Sequence, residues 1–286
     1  MFLLHAAAAP AAGTDDAVSR QKRFVRSLFF EQRYFDAAVE TRRLLFEDAR
    51  GAARPDYDFF IDINYFLGGQ YRSVARSIAG RPGPPDIRSR VLLSQSYLML
   101  GMNALSLAAV RGIGYEAAEP PLRYALLARK AEAYAACGFY RELLDEIAAA
   151  GPLVPDRERV ALLRSEAERH AALPRTSVPL AVALSVFMPG AGQMYAGKYI
   201  NGVVSFIGVA ALAGGAALFY RGGRRDLSYT LIFLSSLFYL GNIYGAYNAA
   251  HAGNEDREHE YRDSFRKKCI PPYDPAAEAR DNEVFR

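Results

Sequence analysis

Few residues in this chain have the types and spacing that chemistry needs. Its histidines, His5, His170, His251 and His259, are scattered, and none has metal-ligand spacing with a partner on a shared helical face. His251 and His259, with Glu255 nearby, are the least poor set. No G-x-S-x-G nucleophile turn occurs. The two cysteines, Cys137 and Cys269, exclude a disulfide-rich scaffold and a cysteine-built zinc site. Cys137 reads as a small core residue, and a Cys137–Cys269 bridge stays open if both lie in an oxidising compartment. Gly192 to Lys198 satisfies the phosphate-loop spacing GxxxxGK. Tyr199 follows it, however, where magnesium would need Ser or Thr, and no strand precedes it. The carboxylates of Asp145, Glu146, Glu166 and Glu168 read as a solvated helix face. These residues predict no enzyme, no metal and no cofactor.

The most specific run is P-G-A-G-Q-M-Y-A-G-K, Pro189 to Lys198. Gly190, Gly192 and Gly197 permit positive φ and close backbone approach, and Gln193 and Tyr195 are placed to bond the backbone groups such a turn frees. Further on, Gly241 and Gly245 form a GxxxG around Asn242, and the pairs Ala210/Gly214 and Ala211/Gly215 repeat the small-residue spacing. Asn201, Asn242 and Asn248 are polar groups in uncharged surroundings. Interhelical hydrogen bonding is the plain role for them, and a ligand or ion path the other.

The elements that must position this run are set by charge. The chain has 286 residues, 35 Lys+Arg against 31 Asp+Glu and a net charge of +4, too weak without a basic patch to argue for nucleic acid. From Thr176 to Gly253 the only charged residues are Lys198, Arg221, Arg224, Arg225 and Asp226. A bilayer-crossing helix needs about 20 apolar residues. The segments 199–220 and 227–250 therefore read as spans, with Tyr199, Tyr220 and Tyr229 at the interfaces. The stretch 176–188 before the turn 189–198 is too short to cross and reads as a re-entrant or interfacial half-helix. The membrane domain is placed at 176–253, and 254–286 is a charged, Pro-containing tail: a helical continuation to Lys268, then a mobile remainder after Pro271-Pro272.

Ahead of it, residues 15–172 show apolar residues at three- and four-residue spacing, as in Phe24, Leu28, Phe29 and Leu162, Leu163. Gly and Pro cluster at Gly51–Pro55, Gly80–Pro85, Glu119–Pro121 and Gly151–Pro155. Four junctions resemble one another, beginning at Gln32, Gly69, Gly101 and Gly138, spaced 37, 32 and 37 residues apart. Each follows an aromatic-rich helix and opens a second helix with small or apolar inward residues. This resembles a degenerate tetratricopeptide repeat, a helix-turn-helix of about 34 residues, with the family's Trp absent. The resemblance implies stacked helix pairs sharing a continuous core, ended by the helix Asp156–Ala172. It also implies a concave surface that binds a protein partner. An irregular bundle without a groove is the alternative. Residues 1–14 form a possible signal or leader segment with an Ala-rich cleavage region near Ala12–Gly13 and no basic start.

The turn residues carry a second resemblance. Pro189, Gly190, Gly192, Gln193, Tyr195 and Gly197 match a bacterial membrane hairpin family with the signature P-G-x-G-Q-x-Y-x-G, and Asn201-Gly202 follows where that family often has a small residue. Ile243 to Tyr247 resembles its closing motif, with Gly245 in place of the usual Asp. The resemblance implies a compact three-helix unit whose turn packs on the two spans.

The predicted fold is all-α: a TPR-like helical-repeat solenoid followed by a C-terminal transmembrane hairpin. A hairpin would put the Arg221–Arg225 loop in the cytoplasm and the repeats in the periplasm. Arg262, Arg266, Lys267 and Lys268 favour the inside instead, and a three-span topology would part the repeats from the tail. The leading expectation is a membrane-anchored, non-enzymatic interaction scaffold of the bacterial inner membrane, touching lipid and a protein partner. The alternative is a membrane unit that moves or senses a lipid or small solute under control of the repeats.

Overall fold

The structure, a computed structural model, describes residues 12–47, 54–280, 282 and 284. Among them are fourteen α-helices, two short 3-10 helices and no strand. The chain divides into two compact units, one up to Glu168 together with the residues from Arg266 on, the other Arg169–Phe265. The leader reading falls mostly on residues outside those described, and Ala12 and Gly13 begin the first helix.

The first unit is built from helix pairs: α1 (Ala12–Phe30) with α2 (Tyr34–Glu47), α3 (Arg54–Leu67) with α4 (Tyr71–Ala79), α5 (Ile87–Met99) with α6 (Asn103–Arg111), and α7 (Arg123–Ala136) with α8 (Tyr140–Ala150). α9 (Arg157–Ala171) follows. Each pair is joined by the same turn. Gln32, Gly69, Gly101 and Gly138 all take the left-handed conformation, with φ of 59°, 71°, 71° and 73°. At each, that residue's N–H reaches back three residues and the next N–H five, as in Gly69 N to Phe66 O (3.0 Å) and Gln70 N to Tyr65 O (2.8 Å). This pair of hydrogen bonds satisfies two of the orphan carbonyls of the helix end. Gln32 is the one non-glycine with positive φ among the described residues.

The common turn brings a common register. Five residues past it stand Ala37, Val74, Ser106 and Leu143; nine past it stand Thr41, Ile78, Val110 and Ile147; seven before it stand Val25, Asp62, Ser94 and Ala131. All twelve are buried. Each pair packs on the next, and the first helices α3, α5 and α7 also touch in succession. Leu28, Phe29 and Leu163 are buried as their spacing predicts, whereas Phe24 and Leu162 are largely exposed.

After Pro271-Pro272 the chain is not the free remainder the sequence suggests. Helix α14 (Pro275–Arg280) packs on α3, and Ala279 and Val284 are fully buried with Tyr57, Phe60 and Ile63. The reason is apolar area: the segment offers Tyr273, Ala276, Ala279 and Val284 to one core.

The second unit holds α10 (Val178–Phe187), α11 (Ala191–Tyr195), α12 (Tyr199–Arg221) and most of α13 (Arg225–Cys269). Ser177 caps α10 by accepting from Leu180 N, and Pro179 lies in its first turn. α10 has 10 residues, the short helix the sequence indicates. α12 and α13, with 23 and 45 residues, are long and apolar enough to cross a membrane. Only 17% and 11% of their apolar stretches are buried, which separates them from core helices of a soluble domain. The 189–198 turn contains a helical turn of its own, α11, and α13 continues through the charged residues to Cys269.

Candidate functional site

Two places gather the residues of interest, one in each unit. In the second unit the Pro189–Lys198 run is wedged by three glycine contacts. Gly190 has φ +86°, and a Cβ there would overlap the Gly202 carbonyl. A Cβ on Gly192 would overlap the Ala181 carbonyl, and one on Gly202 would stand 2.5 Å from Met194 Cγ. α11 is thus pressed backbone to backbone between α10 and α12. Such contact leaves polar backbone groups away from solvent, and each needs a partner.

The partners come from side chains. Gly190 N donates to Asn242 Oδ1 (2.7 Å), and Asn242 Nδ2 donates to Ser185 O (3.2 Å). Gly192 N donates to Ser185 Oγ (3.0 Å). Gln193 Nε2 donates to Asn242 O (3.5 Å), and Gln193 Oε1 accepts from Ser205 Oγ (3.1 Å). Tyr239 Oη donates to Val186 O. Ser185, Gln193 and Asn242 are buried. Tyr195 Oη accepts from Ser177 N at 3.4 Å, and Gly197, at φ +82°, closes α11 as Lys198 N bonds Gln193 O.

The structure therefore brings Gly190, Gly192, Gln193, Tyr195, Gly197, Asn242 and Gly245 into one cluster, with Gly245 facing Gln193 Nε2. Pro189 sits at the bend between α10 and α11. Asn201 and Asn248 are exposed, and Gly241 has open space beside it, so they stand apart from the cluster. Sequence reasoning passes over Ser185 because a lone Ser in the apolar helix α10 gives no signal. The cluster's groups answer one another, which is chemistry for holding a turn rather than reacting. Between α12 and α13, near Arg221, lies an apolar groove of about 660 Å³ whose wall includes Ala213, Ala217, Ile232 and Leu240.

The second place is the face made by the first helices of the pairs. It carries charge where the repeat pattern suggests apolar residues. Glu132 on α7 accepts from Arg129 (2.9 Å) and from Gln95 (3.0 Å), and pairs with Arg266 (2.9 Å). Burial holds the Arg129 guanidinium below its ordinary pKa. Lys130 is buried, donating to Ile113 O (2.6 Å) and Glu146 (2.7 Å) over the Tyr115 ring. Burial, then Glu146, raises the Tyr115 phenol. On α3, buried Asp62 pairs with Arg81 at 2.6 Å, and burial still lifts it to about 6. Glu146 and Glu166 thus leave the solvated face assigned to them: Glu146 holds Lys130, and buried Glu166 pairs with Lys268 at 3.1 Å. Asp145 and Glu168 are exposed as expected. Cys137 and Cys269 do not form the disulfide left open by the sequence, and burial raises Cys269 to about 11.

Among the described residues no group of three or more His, Cys, Asp or Glu could hold a metal ion. His251 and Glu255 stand 3.8 Å apart on the exposed side of α13. Comparison with protein-family models, with curated proteins and with solved structures finds no match for this chain.

Proposed function

We propose that this chain is a membrane-anchored, non-enzymatic interaction scaffold. Its first unit is a short TPR-like solenoid that binds a protein partner, and its second is a hairpin of the P-G-x-G-Q-x-Y-x-G kind that holds the solenoid at a bacterial inner membrane. The observation that carries the reading is the repeated left-handed turn with one buried register in four successive helix pairs. Such stacking leaves one face of first helices as a continuous surface, and a shared surface without a catalytic set is suited to binding. The apolar exterior of α12 and α13 supplies the anchor. α12 spans about 34 Å at 1.5 Å per residue, against a hydrocarbon core of about 30 Å.

In this reading the Arg221–Arg225 loop lies in the cytoplasm and the repeats in the periplasm. A membrane-impermeant maleimide applied from outside should leave Gly222→Cys unmodified in intact cells and modify it after lysis; modification in intact cells contradicts this orientation. The binding role is tested with a photocrosslinking residue at exposed Leu122 of the full chain in native membranes. A discrete protein adduct is expected. Lipid adducts alone, together with loss of the cellular phenotype in folded Gln193→Ala or Asn242→Ala chains, would overturn the scaffold in favour of an active membrane unit.

A further inference from the structure

The face of first helices is not empty. The described residues from Ile270 to Val284 meet α7, α3 and α1. At α7, Tyr124 Oη donates to Cys269 O (2.9 Å) and Arg129 donates to Pro271 O. Tyr273 then inserts edge-on to Phe66 of α3, ring centroids 5.7 Å apart, with the Arg129 guanidinium 5.8 Å from its own ring centre. Asn282 donates to Asp56 O (2.7 Å) at the start of α3, and Arg26 of α1 donates to Val284 O (2.8 Å). From Ile270 to Asp274 the segment has no regular structure, and its Pro271 carbonyl accepts from Arg129. That is how an extended peptide is read in a groove.

The fit is incomplete. Beside the segment a cavity of about 530 Å³ remains, its wall including Arg88, Val91, Leu126, Arg129, Tyr273 and Glu278. The Tyr273 hydroxyl and the Glu278 carboxyl stand together at its edge. A permanent core element would be expected to close such a space; a resident that must leave has no need to.

We infer that Ile270–Val284 is an intramolecular ligand, filling in cis the groove where the repeat unit takes its partner. The inference rests on the scaffold reading and deepens it by naming the partner's chemistry. The partner supplies an extended, proline-containing segment with an aromatic for the Phe66–Arg129 slot. It also brings a carboxyl group beside Arg88 and Arg129, as Glu278 does on the resident segment. Tethering gives the resident an effective concentration of about millimolar, so a competitor must bind well or the tether must be drawn away.

The test uses the full chain in detergent and a fluorescein-labelled peptide of residues 268–286. Tyr273→Ala with Ala279→Asp dislodges the resident segment. The substituted chain should bind the peptide at least about tenfold more tightly than the unsubstituted chain, whose groove is filled. Equal binding by both, or no binding by a substituted chain that keeps its helical circular dichroism, overturns the inference. Should that chain lose its helicity, a protease site placed between Cys269 and Ile270 is cut after folding. The freed segment should then leave on dilution and be replaced saturably by labelled peptide. A freed segment that stays bound through nanomolar gel filtration, or leaves without being replaced, overturns it as well. A Leu122 adduct in membranes with no peptide binding would keep the scaffold and sink only this inference.

Discussion

The two units differ in what they bury and what they expose. In the helix-pair unit the interior is Tyr57, Phe60, Ile63 and Leu127, and the charges it takes in, Arg129, Lys130, Glu132 and Asp62, each have an opposite charge at hand. In the α10–α13 unit the interior is small or polar, Ala181, Ala216, Ala246 and Ala250 with Ser185, Gln193, Ser228 and Asn242, while Phe187, Ile200 and Leu218 stand 88%, 79% and 71% exposed. An apolar interior is what water enforces. A small and partly polar interior under an apolar skin is what lipid permits, because backbone groups there must be satisfied within the protein. In the proposed reading one chain follows two solvents' rules, and the stabilities of its units should respond to different substitutions.

The largest expected effect lies in the lipid-type unit. Gly192→Ala drives a methyl into the Ala181 carbonyl and should cost about 3 kcal/mol or more, enough to abolish a cooperative melt of this unit in detergent. Gly241→Ala, with open space beside it, should leave the melt unchanged. Equal effects of the two would remove the wedge from the account. In the water-type unit, Glu132→Ala strips Arg129 of its partner and should cost about 3 kcal/mol, read by urea unfolding. Asn242→Ala should cost about 2 kcal/mol, because Gly190 N and Ser185 O lose their partner where no water replaces it.

Smaller, and more diagnostic, is the response to pH. Burial lifts Glu278 from 4.5 to about 7, offset in part by Arg88 and Arg129, with Tyr273 and Asp274 also facing it. The docked carboxyl thus holds its proton where the undocked one has lost it. Docking is strongest below about pH 4.5, weakens as pH rises, and reaches its floor above about pH 7. Hydrogen-exchange protection of residues 273–280, corrected for intrinsic rates, should fall between about pH 5 and pH 8. Asp62 shifts the same way, so Glu278→Gln, which should flatten the profile, isolates the effect. The smallest change is Gln32→Gly. It gives the first turn the residue the other three have and should stabilise the helix-pair unit by up to about 1 kcal/mol.

How much of this the sequence disclosed follows from how local each signal is. The four turns were legible because their letters are adjacent: three carry Tyr34, Tyr71 or Tyr140 two positions past the left-handed residue, and the fourth has Gly101 with Asn103 there. Gly190, Gly192 and Gln193 were legible for the same reason. Gly241 shows the limit: GxxxG promises two packed glycines, and only Gly245 meets a neighbour. The groove was hidden because its parts are far apart, Arg129 from Pro271 by 142 residues and Asp56 from Asn282 by 226. Pro271-Pro272 with mixed charge reads as a free end, and nothing local says which surface such a segment will find.

The central claim is that the exposed apolar faces of α12 and α13 belong in lipid. Flotation of the full chain with vesicles, after an alkaline wash and without detergent, tests it most directly. The chain is expected to rise with the vesicles; a chain left behind in plain buffer as a single dispersed species would contradict the account.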